Sequence, residues 1–238
     1  MTTDPIGTDI LDCLARVGQE RAARAADPGL QARCTALKAL QQARFQRSYA
    51  DLLAAPRYAG AARFFLDELY GPRDFSRRDA QFQRIVRPLV RLFPREVVHT
   101  VHELARLHAL SERLDTAMAQ LLPAGDEAPT PAQYVQAWQA VGQPEARQQQ
   151  IDLTLSVGRA LDVYTRKPFL RHALRMMRGP ASAAGLSELQ AFLECGFDTF
   201  RAMNGADHFL GTVREREMAW AATLFAGDPE GRWVALFG

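Results

Sequence analysis

The residues best suited to chemistry lie between Glu96 and Glu103. This segment contains Glu96-x-x-His99, followed by His102 and Glu103. A glutamate three residues before a histidine projects to the same side of a helix, as in the bundles that hold a carboxylate-bridged di-iron centre. Histidines one turn apart can also bind a metal or haem. These four residues form a candidate metal or haem site, and the sequence identifies no catalytic residue and no cofactor beside them.

The surroundings of this cluster disfavour a metal ion. On a helical wheel of about 100° per residue, Arg106 and Arg113 fall in the same stripe as the candidate ligands. A di-iron centre also needs a second Glu-x-x-His, which the sequence lacks. We therefore interpret the stripe as a solvated face with local ion pairs, and metal or haem binding is the alternative.

A row of arginines is the second candidate site. On the same wheel, one polar stripe without an acidic residue carries Arg77, Arg84, Arg87, Arg91 and Arg95. The opposite face is apolar, and such a basic amphipathic helix suits an acidic protein or an anionic surface. No aromatic residues alternate with the arginines and no nucleic-acid motif is present, which disfavours sequence-specific binding of nucleic acid. A solvated face paired with acids of neighbouring helices is the alternative.

Helices must position both candidates. Almost every segment has apolar residues at helical spacing, and good helix formers dominate over β-branched residues. We predict ten helices, over 9–26, 29–54, 57–70, 77–93, 95–122, 131–142, 145–167, 168–178, 186–204 and 207–226. The predicted fold class is therefore all-α, a single-domain multi-helix bundle of about nine to ten helices.

Several helix ends have a local chemical cause. Gly71-Pro72 should stop the helix before it, because Gly suits a left-handed cap and Pro cannot continue a helix. Ser76 with Asp79 resembles a capping box, and Thr130-Pro131 is typical of an N-cap followed by the first helical residue. The one clear linker, 123–131, is interpreted as a surface loop, with a sub-domain boundary there as the alternative.

The composition is that of an ordinary globular protein. The 238 residues are 47% hydrophobic with a net charge of +2, so the surface as a whole is not tuned to nucleic acid. Three widely spaced cysteines exclude a disulfide framework and a Cys-based zinc site. We expect a cytoplasmic protein, because no segment reaches the ~18 apolar residues of a membrane span and the N-terminus lacks a signal-peptide pattern. The excess of arginine over lysine is attributed mainly to a GC-rich genome.

Three segments resemble a family of uncharacterised, all-helical proteobacterial proteins. They are FFLDELYGPRDFSRRD (64–79), RGPASAAGLSELQAFLECGFDTFRAM (178–203) and the FL…RE…LFAG pattern at 209–227. The resemblance spans roughly Tyr58 to Gly227 and implies a helical, bacterial protein. It implies no activity, cofactor, partner or site residue, because none is known for that family.

Three classes of function follow. The leading hypothesis is a non-enzymatic binding or assembly protein that uses the arginine row. The second is a metal- or haem-binding bundle, oxidase-like or a sensor, that uses the Glu/His cluster. The third is a bundle that binds a small apolar ligand between its helices, for which the sequence identifies no residue. Homo-oligomers are compatible with all three, because an apolar stripe can face a core or a second copy.

Overall fold

The architecture is helical wherever the structure describes it. The computed structural model describes residues 5–68, 72–124 and 128–226, and no strand occurs in those ranges. The helices are α1 (Pro5–Ala25), α2 (Pro28–Ser48), α3 (Ala50–Ala54), α4 (Ala59–Glu68), α5 (Ser76–Leu92), α6 (Arg95–Leu121), α7 (Pro131–Val141), α8 (Pro144–Thr165), α9 (Pro168–Met176), α10 (Arg178–Ala183), α11 (Ser187–Met203) and α12 (Asp207–Ala226). The predicted all-α fold is confirmed. Within the described ranges, no helix is both long and apolar enough to cross a membrane.

One predicted helix is divided in the structure, and one short helix was not predicted. The helix predicted over 29–54 breaks between α2 and α3 at Tyr49, whose backbone leaves the helical conformation at φ −122° and ψ 23°. The Tyr49 side chain is fully buried, and its hydroxyl donates to Glu217 Oε1 at 2.7 Å. The helix predicted over 168–178 is followed directly by the short α10, which was not predicted. The break at Tyr49 therefore coincides with a contact to a distant part of the chain, and the local sequence does not encode that contact.

The predicted caps have mixed outcomes. Thr130 caps α7 and forms a capping box with Gln133, as its side-chain chemistry suggests. The capping box predicted at Ser76 is wrong, because Ser76 is the first residue of α5 and not its cap. Asp74 instead accepts hydrogen bonds from the Ser76 amide and hydroxyl, each at 2.9 Å. The stop predicted at Gly71 lies outside the described residues.

The central helix is α6, which packs against α1, α2, α7 and α8. The preceding helix, α5, reaches α6 through the corner at Phe93 and Pro94 but packs mainly on α1 and α11. The two helices are therefore joined at this corner but make few contacts with each other beyond it. Their separation leaves space inside the bundle.

Three apolar clusters surround that space. The first joins α2, α3, α4, α8, α11 and α12, with Phe65, Phe200 and Phe209 in mutual ring contact. The second joins α2, α6, α7 and α12, and the third joins α1, α5 and α6. Because α7 follows the loop predicted at 123–131, helices on both sides of that loop share the second cluster.

A close approach between α8 and α12 occurs at Gly158. A Cβ atom at this position would lie 2.6 Å from Leu210 Cδ2, so any larger residue must displace a packed core side chain. We expect Gly158→Val to lower the free energy of unfolding by about 1–3 kcal/mol through overpacking, measured by urea denaturation.

Gly18→Val is the matched control for this substitution. Gly18 also lies inside a helix, but a Cβ atom there would meet no heavy atom within 4 Å. The two changes share the same small gain in helix propensity, so their difference reports packing. Equal losses of stability in the two variants would contradict the close approach of α8 and α12.

Candidate functional site

The predicted Glu/His cluster does not converge on one point. Glu96 is exposed, and the His99 side chain is 64% exposed. His102 Nε2 contacts a carboxylate of α1 at 2.5 Å, whereas Glu103 accepts hydrogen bonds from Ser156 Oγ of α8 at 2.9 and 3.0 Å. Among the described residues, no three His, Cys, Asp or Glu side chains are arranged to hold a metal ion. The prediction of a solvated face is correct only in part, because α1 and α8 flank α6 and engage two of the four residues.

The predicted arginine row lies on the surface. Four members are on α5 and one begins α6, and the exposed side chains are Arg77, Arg84, Arg87, Arg91 and Arg95. Arg77 Nε lies 3.1 Å from Glu188 of α11, and Arg84 donates to the Ala184 carbonyl at 2.7 Å. The other three form no salt bridge with any residue of the described ranges. The row is therefore an exposed cationic surface that acids of neighbouring helices neutralise only at one end.

The space between α5 and α6 is an elongated cavity with a volume of about 180 Å³. Apolar cavities of ~150 Å³ admit benzene, so this one has room for a small organic molecule. Its α6 wall is apolar at Val101 and Leu104 and polar at Glu112 and Asp115. From the first to the last of these residues, the helix rises by about 21 Å at ~1.5 Å per residue. The cavity thus has an apolar end and a polar end.

Helices α5, α6 and α11 form most of the apolar end. Besides α6, the walls are built by α5 and α11 with Phe82, Ile85, Leu89, Leu189, Phe192 and Leu193. Leu193 lines the cavity and is also 39% exposed. The apolar end therefore reaches the protein surface beside α11.

Glu112 organises the polar end. Its Oε1 lies 2.9 Å from Lys38 Nζ, and its Oε2 lies 2.5 Å from Arg24 Nη2. Arg24 also donates to Thr116 Oγ1 at 2.7 Å. Both Glu112 and Arg24 are 4% exposed, and charges so deeply buried persist only when they are paired and hydrogen-bonded.

The pKa values of the two carboxyls on α6 are displaced in opposite directions. Burial acts to raise the pKa of Glu112, but Lys38 and Arg24 outweigh it and hold that pKa at about 2. Burial raises the pKa of Asp115, and the charge of Lys38 offsets this only in part. The polar end therefore combines a permanently ionised carboxylate with one that takes up a proton more readily.

A second charged group lies beside the middle of the cavity. Asp79 Oδ2 of α5 lies 2.8 Å from Arg21 Nη1 of α1 and 2.8 Å from His108 Nε2 of α6. His108 is the donor, because an ionised carboxylate can only accept. Burial acts to raise the pKa of Asp79, but this hydrogen bond and the charges of His108, Arg21 and Arg78 lower it. Asp79 thus joins three helices instead of completing a capping box.

Aromatic rings support the remaining charges of the polar end. Arg44 Nη1 and Nη2 donate to Glu217 at 2.5 and 3.1 Å, and the Arg44 guanidinium lies over the Trp220 ring. The Arg147 guanidinium lies over the Trp138 ring, 3.9 Å from its centroid. Rings of this kind hold guanidinium groups in place through cation–π attraction.

Sequence analysis missed the cavity because its charged residues come from six helices. One signal was nevertheless present on α6. A polar stripe opposite His99 carries His108, Ser111, Glu112 and Asp115 at helical spacing. A central helix with polar stripes on two sides must turn one of them toward the interior.

The comparison with known families covers nearly all of this site. Residues 20–231 match the family described as "Domain of unknown function (DUF8198)". The chain belongs to this family. The match confirms the resemblance to an uncharacterised family, and every cavity-lining residue except Leu14 falls within the matched range. No curated protein and no solved structure matches the chain.

Removing the charge of Glu112 should strongly destabilise the bundle. Glu112→Gln leaves Arg24 and Lys38 buried with their carboxylate partner lost. We expect the free energy of unfolding at neutral pH to fall by about 3–5 kcal/mol, as for other buried pairs that lose one partner. Urea denaturation monitored by circular dichroism measures this loss.

Acid should abolish the difference between wild type and Glu112→Gln. The pKa of Glu112 is lowered from 4.5 to about 2. The ionised Glu112 therefore stabilises the fold fully above pH 4.5, and this contribution is lost as the pH falls from 4.5 to 2. Glu188→Gln is the matched control, because Glu188 forms an exposed pair with Arg77 and should stay close to wild type. A Glu112→Gln variant as stable as this control would contradict the assignment of Glu112.

Proposed function

We propose that this bundle binds an elongated, amphipathic small molecule in the cavity between α5 and α6. The observation that carries this proposal is the change from an apolar to a charged lining along one helix. Ligand sites typically combine apolar walls with a few fixed polar groups that orient the ligand. An apolar body would lie against Phe82 and Leu104, and a polar group would lie near Glu112. The hypothesis of a small ligand between the helices named no residue at the level of sequence, and these residues now define its binding site.

The apolar end supplies a driving force for binding. Each Å² of apolar ligand surface removed from water contributes about 25 cal/mol before the costs of association. Because Leu193 lines this end and is partly exposed, a chain-like ligand can enter beside α11.

The polar end supplies orientation. Its charged groups are held by ion pairs between helices, so they are fixed in position, which reduces the entropy that binding must overcome. We propose binding as the activity, and the residues of the cavity define no nucleophile. The Glu/His cluster supports a metal or haem protein less well, because its members engage different helices.

The setting is also part of the proposal. We expect a bacterial protein, as the family resemblance implies. We expect it to be cytoplasmic, because the sequence shows neither a membrane span nor a signal-peptide pattern. Cys13, Cys34 and Cys195 are free thiols, which fits a reducing compartment.

Filling the apolar end should abolish ligand binding. Dodecanol is a suitable probe, because it joins an apolar chain to a small polar group, and Trp138 and Trp220 in the wall report its binding by fluorescence. We expect wild type to bind dodecanol and Leu104→Trp to bind it at least tenfold more weakly. Native mass spectrometry gives the stoichiometry independently.

Leu121→Trp is the matched control on the same helix. Leu121 is 51% exposed and does not line the cavity, so this variant should bind dodecanol like wild type. If wild type binds neither dodecanol nor the carboxylate of the same chain length, or if the two tryptophan variants show equal measurable binding, the proposed cavity ligand is refuted.

The arginine row supports a second candidate function, attachment to an anionic lipid surface. Leu92 and Phe93 are 78% and 49% exposed, and they lie in the chain between Arg91 and Arg95. Exposed apolar residues beside exposed cations are typical of helices that lie in a membrane interface. We therefore keep the hypothesis of a binding protein that uses the arginine row, and we assign its binding surface to this row together with Leu92 and Phe93.

Reversing the charge of the row should abolish such attachment. The variant Arg84→Glu, Arg87→Glu, Arg91→Glu should bind phosphatidylserine vesicles at least about 100-fold more weakly, since each basic residue near such a surface contributes ~1 kcal/mol. Vesicle co-sedimentation measures the loss, and helical circular dichroism checks the fold. The variant Arg16→Glu, Arg159→Glu, Arg214→Glu makes the same charge change at exposed sites on other helices. An equal effect of both triple variants would show that only net charge matters.

A further inference from the structure

We propose that the polar end of the cavity is an oxyanion site that holds the carboxylate of a long-chain acid through Arg147 and the indole N–H of Trp138. This inference rests on the proposed function, because it assigns the head group of the same ligand. The ligand class is then an aliphatic carboxylate, with its chain toward α11 and its carboxylate against α7 and α8.

Arg147 and Trp138 lie together at the polar end. Both line the cavity, and the Arg147 guanidinium stacks on the Trp138 ring at 3.9 Å. Arg147 donates to Gln150 Oε1 at 3.3 Å, and Gln150 donates to Ser111 Oγ of α6 at 2.8 Å. Ser111 precedes Glu112 directly, which fixes the pair at the charged end of the α6 wall.

Trp138 carries a hydrogen-bond donor without an acceptor. Its side chain is 6% exposed, and its Nε1 has no partner among the described residues. An indole N–H can only donate, and buried donors are almost always paired in folded proteins. Because Trp138 belongs to the cavity wall, an oxygen atom of a bound molecule would complete this hydrogen bond.

The charges at this end favour an anion over a cation. The cations that line this end are Lys38, Arg44 and Arg147, and the acids are Glu112, Asp115 and Glu217. Arg24 does not line the cavity but adds a fourth cation, paired with Glu112. Burial also raises the pKa of Asp115, which further reduces the negative charge. A guanidinium stacked on a ring presents its N–H edge to a planar carboxylate. A carboxylate head group would therefore balance the cations, whereas a cationic head group would add to their excess.

Three probes with the same chain test the head group. Dodecanoate, dodecanol and dodecylammonium share a twelve-carbon chain and carry small head groups that are anionic, neutral and cationic. We expect wild type to bind dodecanoate at least tenfold more tightly than dodecanol in isothermal titration calorimetry, and the cation most weakly.

Two variants assign this preference to the two residues. Trp138→Phe keeps the ring under Arg147 but removes the N–H, so the selectivity for dodecanoate over dodecanol should fall about tenfold, as when one hydrogen bond to a charged group is lost. Arg147→Gln should abolish the selectivity, and Arg147→Lys should restore part of it. Dodecanol binding and circular dichroism check that each variant is folded, and Trp138→Phe alone decides the test if the Arg147 variants fail to fold.

The outcomes separate this inference from the proposed function. If wild type binds neither dodecanoate nor dodecanol, both are overturned. If wild type binds dodecanol but does not prefer dodecanoate, or if Trp138→Phe keeps the full selectivity, only the oxyanion site is overturned. Loss of selectivity with retained dodecanol binding is the expected result.

Discussion

The ionised carboxylate of Glu112, buried between Arg24 and Lys38, constrains how three helices meet. Arg24 lies on α1, Lys38 on α2 and Glu112 on α6. A rotation or shift of any one helix would leave a charge in the interior without its partner, at a cost of several kcal/mol. Apolar packing tolerates small slips more readily, so the ion pairs specify the register of these helices more narrowly than the clusters around them do.

The same constraint accounts for the cavity. Asp79 ties the beginning of α5 to Arg21 of α1 and His108 of α6, and the chain joins the end of α5 to α6 at Phe93 and Pro94. Between these two points α5 packs on α1 and α11 and makes few contacts with α6. Side chains do not fill the space that results, and ion pairs between helices fix the charged groups around it. Such preorganisation is what a binding site requires.

Helix α5 connects the two surfaces with proposed functions. Its inner face carries Phe82, Ile85 and Leu89 in the cavity wall, whereas its outer face carries exposed arginines. Its last turn exposes Leu92 close to these arginines. If α5 lies on an anionic surface, one wall of the cavity lies next to that surface, and an amphipathic ligand could pass between the two. The two proposals are therefore compatible within one molecule.

Local sequence determined the helices and much of the surface. The apolar periodicity placed the long helices, Thr130 marked the start of α7 through its capping chemistry, and the wheel placed the arginine row on an exposed face. Each of these features depends on residues within a few turns of one another, where spacing has a direct geometric meaning.

Only the tertiary structure decided the break at Tyr49 and the cavity with its charges. His108 and Asp79 are 29 residues apart, Arg24 and Glu112 are 88 apart, and Arg44 and Glu217 are 173 apart. Spacing within a helix shows that His108 and Glu112 share a stripe, but not whether the stripe faces water or the cations of other helices. The energy of a buried charge depends on those partners, and their positions are set by how the helices pack together.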